Sequence, residues 1–160
     1  MTSKNILITG CSSGIGLAVA LGLQARGYRV FATARSLDAV RALQQQGLEA
    51  LLLDVNDSES IKAAVAEVLT RTGGHLDALF NNAGYGQFGA VEDLSREALR
   101  AQFETNVFGA HELTCQVLPV MLRRGQGRII QHSSLLGFVA LPLRGAYNAS
   151  KFALEGLTDT

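Results

Sequence analysis

Tyr147 and Lys151 stand four residues apart in a stretch whose pattern is helical from Tyr147 onward, so they share one helix face and can converge. A phenol, with a pKa of about 10, is a poor acid or base at neutral pH, but a neighbouring ammonium favours the phenolate and makes it a usable proton carrier. Ser133 and Ser134 close the apolar run Arg128 to Gln131, and open α/β sheets take their ligands at the carboxyl ends of strands. A hydroxyl there can hydrogen-bond a substrate oxygen whose charge changes during reaction. Either serine can equally be a satisfied turn hydroxyl. His132 precedes them, yet there is no G-x-S-x-G elbow. Adjacent strand residues also point to opposite faces, so His132 is expected to face away and hydrolysis is disfavoured.

A second chemistry-bearing stretch reads Thr9-Gly10-Cys11-Ser12-Ser13-Gly14-Ile15-Gly16. It follows an apolar run and opens a helical one, where glycines let the backbone approach a pyrophosphate seated on exposed helix amides. Ser12 and Ser13 add hydroxyl donors beside the same phosphate. Arg35 ends the second strand, where an acidic residue would select the ribose 2′-hydroxyl of NAD(H) and an arginine can pair with a 2′-phosphate. NADP(H) is therefore the preferred cofactor, with NAD(H) possible; Asp38 nearby weighs against the preference.

The elements that must position these residues alternate strand and helix. Strands are expected at Asn5 to Thr9, Arg29 to Ala34, Ala50 to Leu53, Ala78 to Phe80 and Arg128 to Gln131. Between them lie helical stripes such as Ile15, Ala18, Val19, Gly22, Leu23 and Ile61, Ala64, Val65, Val68, Leu69. Asp57 or Ser58 is placed to cap the latter, and Gly27, Gly47 and Gly73 to end helices. A long helical stretch from about Arg96 to Arg124 should break near Asn106 and at Pro119. The class is α/β: one doubly wound, Rossmann-like parallel sheet over residues 1–160, without linker or repeat.

Composition sets bounds on partners. Lys plus Arg number 14 and Asp plus Glu 14, a net charge of zero that gives no general attraction to nucleic acid. Hydrophobic residues are 48% of the chain, enough for a sizeable core, and no run is long enough for a transmembrane segment. The two cysteines, Cys11 and Cys115, lack metal-ligand spacing and suit a reducing, cytoplasmic location; no metal site is expected.

Taken together these pieces resemble the short-chain dehydrogenases/reductases. The resemblance rests on Thr9-Gly10-x-x-x-Gly14-x-Gly16, Asp54-Val55, Asn81-Asn82-Ala83-Gly84, Asn106, Ser134 and Tyr147-Asn148-Ala149-Ser150-Lys151, in the family's order and spacing. The segment Tyr147 to Leu157 looks most like hydroxysteroid and retinol dehydrogenases and aldehyde/ketone (carbonyl) reductases. It implies an oxidoreductase in which Tyr147 is the acid/base and Lys151 assists it and holds the nicotinamide ribose. Ser134, rather than Ser133, would orient the substrate oxygen, and Asn106 would hold a water linking Lys151 to solvent. Gly10, Ser12, Ser13, Gly14, Ile15 and Gly16 would cradle the pyrophosphate. Asp54 and Val55 would contact adenine, and Asn82, Ala83 and Gly84 its ribose. Hydride would pass directly between nicotinamide and substrate, and Asn81 and Asp77 would stabilise the sheet.

The resemblance also implies a C-terminal truncation, since family members continue with further strands and a substrate-covering loop. The 160-residue chain alone is then expected to be inactive, to fray from about Phe152 and to expose its fifth strand. The full-length form would be a homo-dimer or homo-tetramer. The visible pocket wall, Leu135 to Leu143, suggests a lipid-like, steroid-like or aromatic carbonyl rather than a sugar. The resemblance implies a small apolar alcohol or carbonyl substrate of steroid, retinoid or aldehyde/ketone type. Two alternatives stay open: a non-catalytic NADP(H)-binding protein, and an inactive fragment of such an enzyme.

Overall fold

A computed structural model describes residues 3–160. Five parallel strands, β1 (Asn5–Ile8), β2 (Arg29–Ala34), β3 (Glu49–Leu52), β4 (Ala78–Asn81) and β5 (Arg128–Gln131), form one sheet in the order β3-β2-β1-β4-β5. The order reverses beside β1, whose Ile8 pairs with Ala32 of β2 and Phe80 of β4. That reversal opens a crevice beyond the carboxyl ends of β1 and β4, the place where doubly wound sheets bind ligands.

Both sheet faces carry apolar layers because the strands are apolar on both sides. Ile6, Ile8, Val30, Ala32 and Ala50 pack beneath α1 (Gly14–Ala25) and α2 (Leu37–Gln45). Leu7, Phe31, Leu51 and Leu79 pack on the other face against α3 (Ser58–Thr72) and α5 (Ala110–Arg124). Capping follows the expected chemistry: Asp57 accepts from the Glu59 amide at the start of α3, and Gly73 closes that helix at φ 63°. Asn81 donates to Ala110 O, Thr114 Oγ1 and Gln131 Oε1, and Asp77 accepts from the Asn5 amide and from Arg124. These two residues therefore tie strands and helices together, as expected.

The long helical stretch departs from expectation. It begins as α4 (Arg96–Phe103), widens into one π-helical segment at Glu104–Gly109, and continues as α5. The irregularity near Asn106 is thus a π segment rather than a chain break, and such segments recur at functional sites. No break occurs at Pro119, which lies inside α5. A proline there removes one helical hydrogen bond and costs about 3 kcal/mol; the buried stripe Leu113, Val117, Val120 and Met121 holds the helix on the sheet across it. The final helix, α6 (Gly145–Thr158), continues past Phe152 to Thr158. Ser150, Lys151 and Leu154 on its inner face are all buried and keep it docked.

β5 is the sheet edge, and Ile130 on it is 48% exposed. Among the described residues no helix is long and apolar enough to cross a membrane, and no group of His, Cys, Asp and Glu is arranged to hold a metal.

Candidate active site

The loop joining β1 to α1 is built by close packing as much as by conformational freedom. Gly10 has φ 69°, and a Cβ on it would lie 2.9 Å from the Cα of Ala83. A Cβ on Gly16 would lie 2.5 Å from Asn82 Nδ2 and strike the carbonyl of Gly10. The loops after β1 and β4 are thereby pressed together. Hydrogen bonds fix that contact: Thr9 Oγ1 accepts from the amides of Asn82 and Ala83, both at 2.9 Å. Asn82 Nδ2 donates to Thr9 O at 2.8 Å and Gly10 O at 3.1 Å.

Over this junction lies a cavity of about 660 Å³. Of the residues singled out in the sequence, Gly10, Ser12, Ser13, Ile15, Arg35, Asp54, Val55, Asn82, Ala83 and Gly84 line it. Gly14 and Gly16 do not. Gly16 is buried against the neighbouring loop, and Gly14 turns the chain at φ 60° with open space around it. Ser13, the N-cap of α1, makes no side-chain cap, and α1 has no acid in its first turn. Its terminal amides and the exposed hydroxyls of Ser12 and Ser13 remain available to an anion. Arg35 is exposed at the rim and, among the described residues, pairs with no carboxylate, whereas Asp38 is engaged by Arg41 at 3.2 Å. The trench, its glycine-backed floor and its uncapped helix end fit a dinucleotide.

A second cavity, about 370 Å³, adjoins it and shares Asn82, Gly84, Tyr85 and His132 with the first. Tyr147 and Lys151 line it, with Ser133, Leu136, Gly86 and Arg144. Lys151 Nζ lies 5.6 Å from the centre of the Tyr147 ring and donates to His132 O at 2.5 Å. Burial holds its pKa below the usual 10.5, partly opposed by Glu155. Ser134 is not among the lining residues; its Oγ accepts from the Leu136 amide at 3.1 Å and caps a 3-10 turn at Leu135–Gly137. Ser133 Oγ is buried and without a hydrogen-bond partner among the described residues.

Asn106 lines neither cavity. It is buried in the π segment and acts on the wall between them. Its Oδ1 accepts from the Tyr85 amide, while Nδ2 donates to Tyr85 O at 2.9 Å and Ser150 Oγ at 3.1 Å. Ser150 in turn donates to Tyr147 O at 2.8 Å. Gln102, four residues earlier on the same face, accepts from the Gln87 amide and donates to Tyr85 O. Gln102 carries no signal in the sequence; its role follows from its complete burial one turn before Asn106, which only the structure shows.

His132 is a correction. It does not face away: the residue lines both cavities, and its ring Nδ1 lies 2.8 Å from Asn82 Oδ1. β5 ends at Gln131, so strand alternation no longer governs the next side chain. Asn82 Nδ2 is already committed as a donor, so its Oδ1 must accept, which puts the proton on Nδ1 and leaves Nε2 an acceptor. Burial lowers the pKa of His132, and the charge of Lys151 lowers it further.

The family profile described as short chain dehydrogenase matches residues 4–160. An uncharacterized oxidoreductase YbbO of Escherichia coli strain K12 is 46% identical over 156 residues, covering 98% of this chain and 58% of that protein. Human 17-beta-hydroxysteroid dehydrogenase type 1 is 42% identical over 172 residues, covering 100% of this chain and 52% of its own length. Among solved structures, an actinorhodin polyketide ketoreductase variant with NADPH superposes with TM-score 0.90 at 39% identity, covering 98% of this chain and 62% of that one. The chain thus spans about half to three-fifths of the length of the relatives it matches.

Proposed function

The chain belongs to the short-chain dehydrogenase family, and from that premise we propose that residues 1–160 are the cofactor-binding and catalytic segment of an NADP(H)-dependent oxidoreductase. Its substrates are apolar alcohols or carbonyl compounds. One observation carries the reading: a dinucleotide-sized trench opens into a smaller cavity lined by Tyr147 and Lys151. Similarity to a hydroxysteroid dehydrogenase and to a ketoreductase solved with NADPH supports the reaction class.

Gly10 and the amides opening α1 would hold the pyrophosphate, Ser12 and Ser13 would add donors, and Arg35 would engage a 2′-phosphate. Asp54 and Val55 would flank adenine. Bound in this way, a nicotinamide cofactor supplies or accepts the hydride. Tyr147 gives its proton to the carbonyl oxygen in reduction and takes one from the alcohol in oxidation. The Lys151 ammonium stabilises negative charge on the ring oxygen as that proton leaves. Ser134, turned from its capping bond, orients the substrate oxygen, with the unpartnered Ser133 beside it. Asn106 keeps the Tyr85 backbone and, through Ser150, the first turn of α6 in register. The exposed Leu135, Phe138, Val139, Leu141 and Leu143 supply the apolar surface for substrate.

Initial-rate measurement of NADPH oxidation by the full-length protein that contains this segment, with aliphatic and aromatic aldehydes and ketones, tests the reading. Saturable turnover is expected. NADPH binding with no turnover on any carbonyl would favour the non-catalytic alternative.

A further inference from the structure

The second cavity carries a positive charge that hydride transfer does not use. Arg144 lines it beside Tyr147 and Lys151, and among the described residues no carboxylate does. Its guanidinium carbon lies 3.4 Å from the centre of the Phe88 ring, a cation stacked on an aromatic face. Among the described residues no Asp or Glu pairs with it. A guanidinium stays charged at all working pH values and presents planar, forked donors that match a carboxylate. Stacking one face on Phe88 holds the plane and leaves the donor edge open.

The backbone around it is held in a particular way. Leu143, immediately before it, has φ 60°, the sole positive φ outside glycine among the described residues. Strain of this kind persists where surrounding structure enforces it, and it clusters at ligand clamps. Here the enforcement is visible: Gly89 N donates to Leu143 O at 3.1 Å, and Gly89 and Arg144 form an isolated parallel bridge. The loop bearing Phe88 is thus tied to the turn bearing Arg144. A Cβ on Gly86 would lie 3.2 Å from Arg144 Nη1 and 3.5 Å from Tyr147 Cδ2, so guanidinium and phenol ring flank the same short piece of backbone.

We propose that Arg144 sets substrate specificity by receiving a carboxylate carried on the same molecule as the reacting carbonyl or alcohol. The inference rests on the oxidoreductase reading and narrows it to amphipathic oxo or hydroxy acids. Their apolar chain lies on the Leu141 and Leu143 surface and their acidic end on Arg144.

The test measures NADPH-dependent reduction, by the full-length protein, of aliphatic oxo acids of graded chain length, each against its methyl ester. For at least one length kcat/KM of the acid is expected to exceed that of the ester by about tenfold or more, the scale of a charge-assisted hydrogen bond. In Arg144→Gln that ratio should collapse to about one, and Arg144→Lys should restore part of it. Phe88→Leu, which removes the stacking platform but not the charge, should lower the ratio severalfold. A ratio near one at every length in the unmodified protein overturns the proposal. So does a ratio that survives Arg144→Gln, or an equal loss for acid and ester, which would make Arg144 only a staple to Phe88. Calorimetric titration of the same acids and esters in the presence of NADPH reads carboxylate capture without turnover. Arg144-dependent acid binding without reduction of any carbonyl would sink the oxidoreductase reading and leave the anion site standing. Turnover of esters with no acid preference in rate or binding would do the reverse.

Discussion

Three glycines within nine residues of one another should respond to alanine in three different ways, because their surroundings differ. Gly16→Ala places a Cβ 2.5 Å from Asn82 Nδ2 and 3.0 Å from the Gly10 carbonyl carbon. The Asn82 amide cannot yield without loosening its bonds to Thr9 O and Gly10 O. Overpacking of this sort costs about 1–3 kcal/mol, and the loss of one of those hydrogen bonds about 1 kcal/mol more, giving about 2–4 kcal/mol. Gly14→Ala meets nothing within contact distance but must hold φ 60°, which costs about 1–2 kcal/mol. Gly22→Ala lies in open space inside α1 at an ordinary helical φ and should stabilise by up to about 1 kcal/mol. In a domain of this size the melting shifts should be about 5–15 °C down, a few degrees down and a few degrees up. Scanning calorimetry measures all three. Only Gly16→Ala should also weaken NADPH binding by tenfold or more, since it alone displaces the floor of the trench. A Gly16→Ala protein that melts within about 2 °C of the parent and binds NADPH normally would refute the packing argument.

Two further outcomes follow from the site. Arg35→Asp should invert the preference for NADPH over NADH, read by fluorescence titration of both cofactors; NADH binding as tightly as NADPH in the unmodified protein would contradict the role given to Arg35. The pKa of His132 lies below 6.5 through burial and then the Lys151 charge, so the unfolded chain takes up that proton first as pH falls. Unfolding free energy should therefore decline as pH drops through and below about 6.5, and His132→Gln should show a shallower decline in denaturant melts over the same range. Identical pH slopes in parent and variant would remove His132 from that linkage.

Much of the scaffold was legible because its signals are local. β2 and β5 have the bounds read from their apolar runs, and Asp57 and Gly73 cap α3 as their chemistry demands. The glycine loop and the four-residue spacing of Tyr147 and Lys151 placed both groups on the correct elements. What escaped depended on tertiary contacts. Pro119 reads as a breaker until a buried stripe on both sides carries the helix through it. His132 reads as a strand residue facing away until the strand is seen to end one position earlier. Ser134 is legible as a hydroxyl at a strand end, but its engagement with the Leu136 amide depends on a 3-10 turn that apolar patterning does not mark. Arg144 carries no signal at all without Phe88, which lies 56 positions away in sequence and under its guanidinium in space.

The most direct measurement is single-turnover reduction of an apolar ketone by the full-length protein carrying Tyr147→Phe, together with its NADPH affinity. The phenylalanine ring keeps the packing against Gly86 and removes only the hydroxyl. Turnover should fall by about 10²–10⁴-fold, the contribution of one positioned acid/base, while NADPH binds within a few-fold of the parent. Turnover that survives the substitution would contradict proton transfer by Tyr147, and with it the chemistry assigned to this cavity.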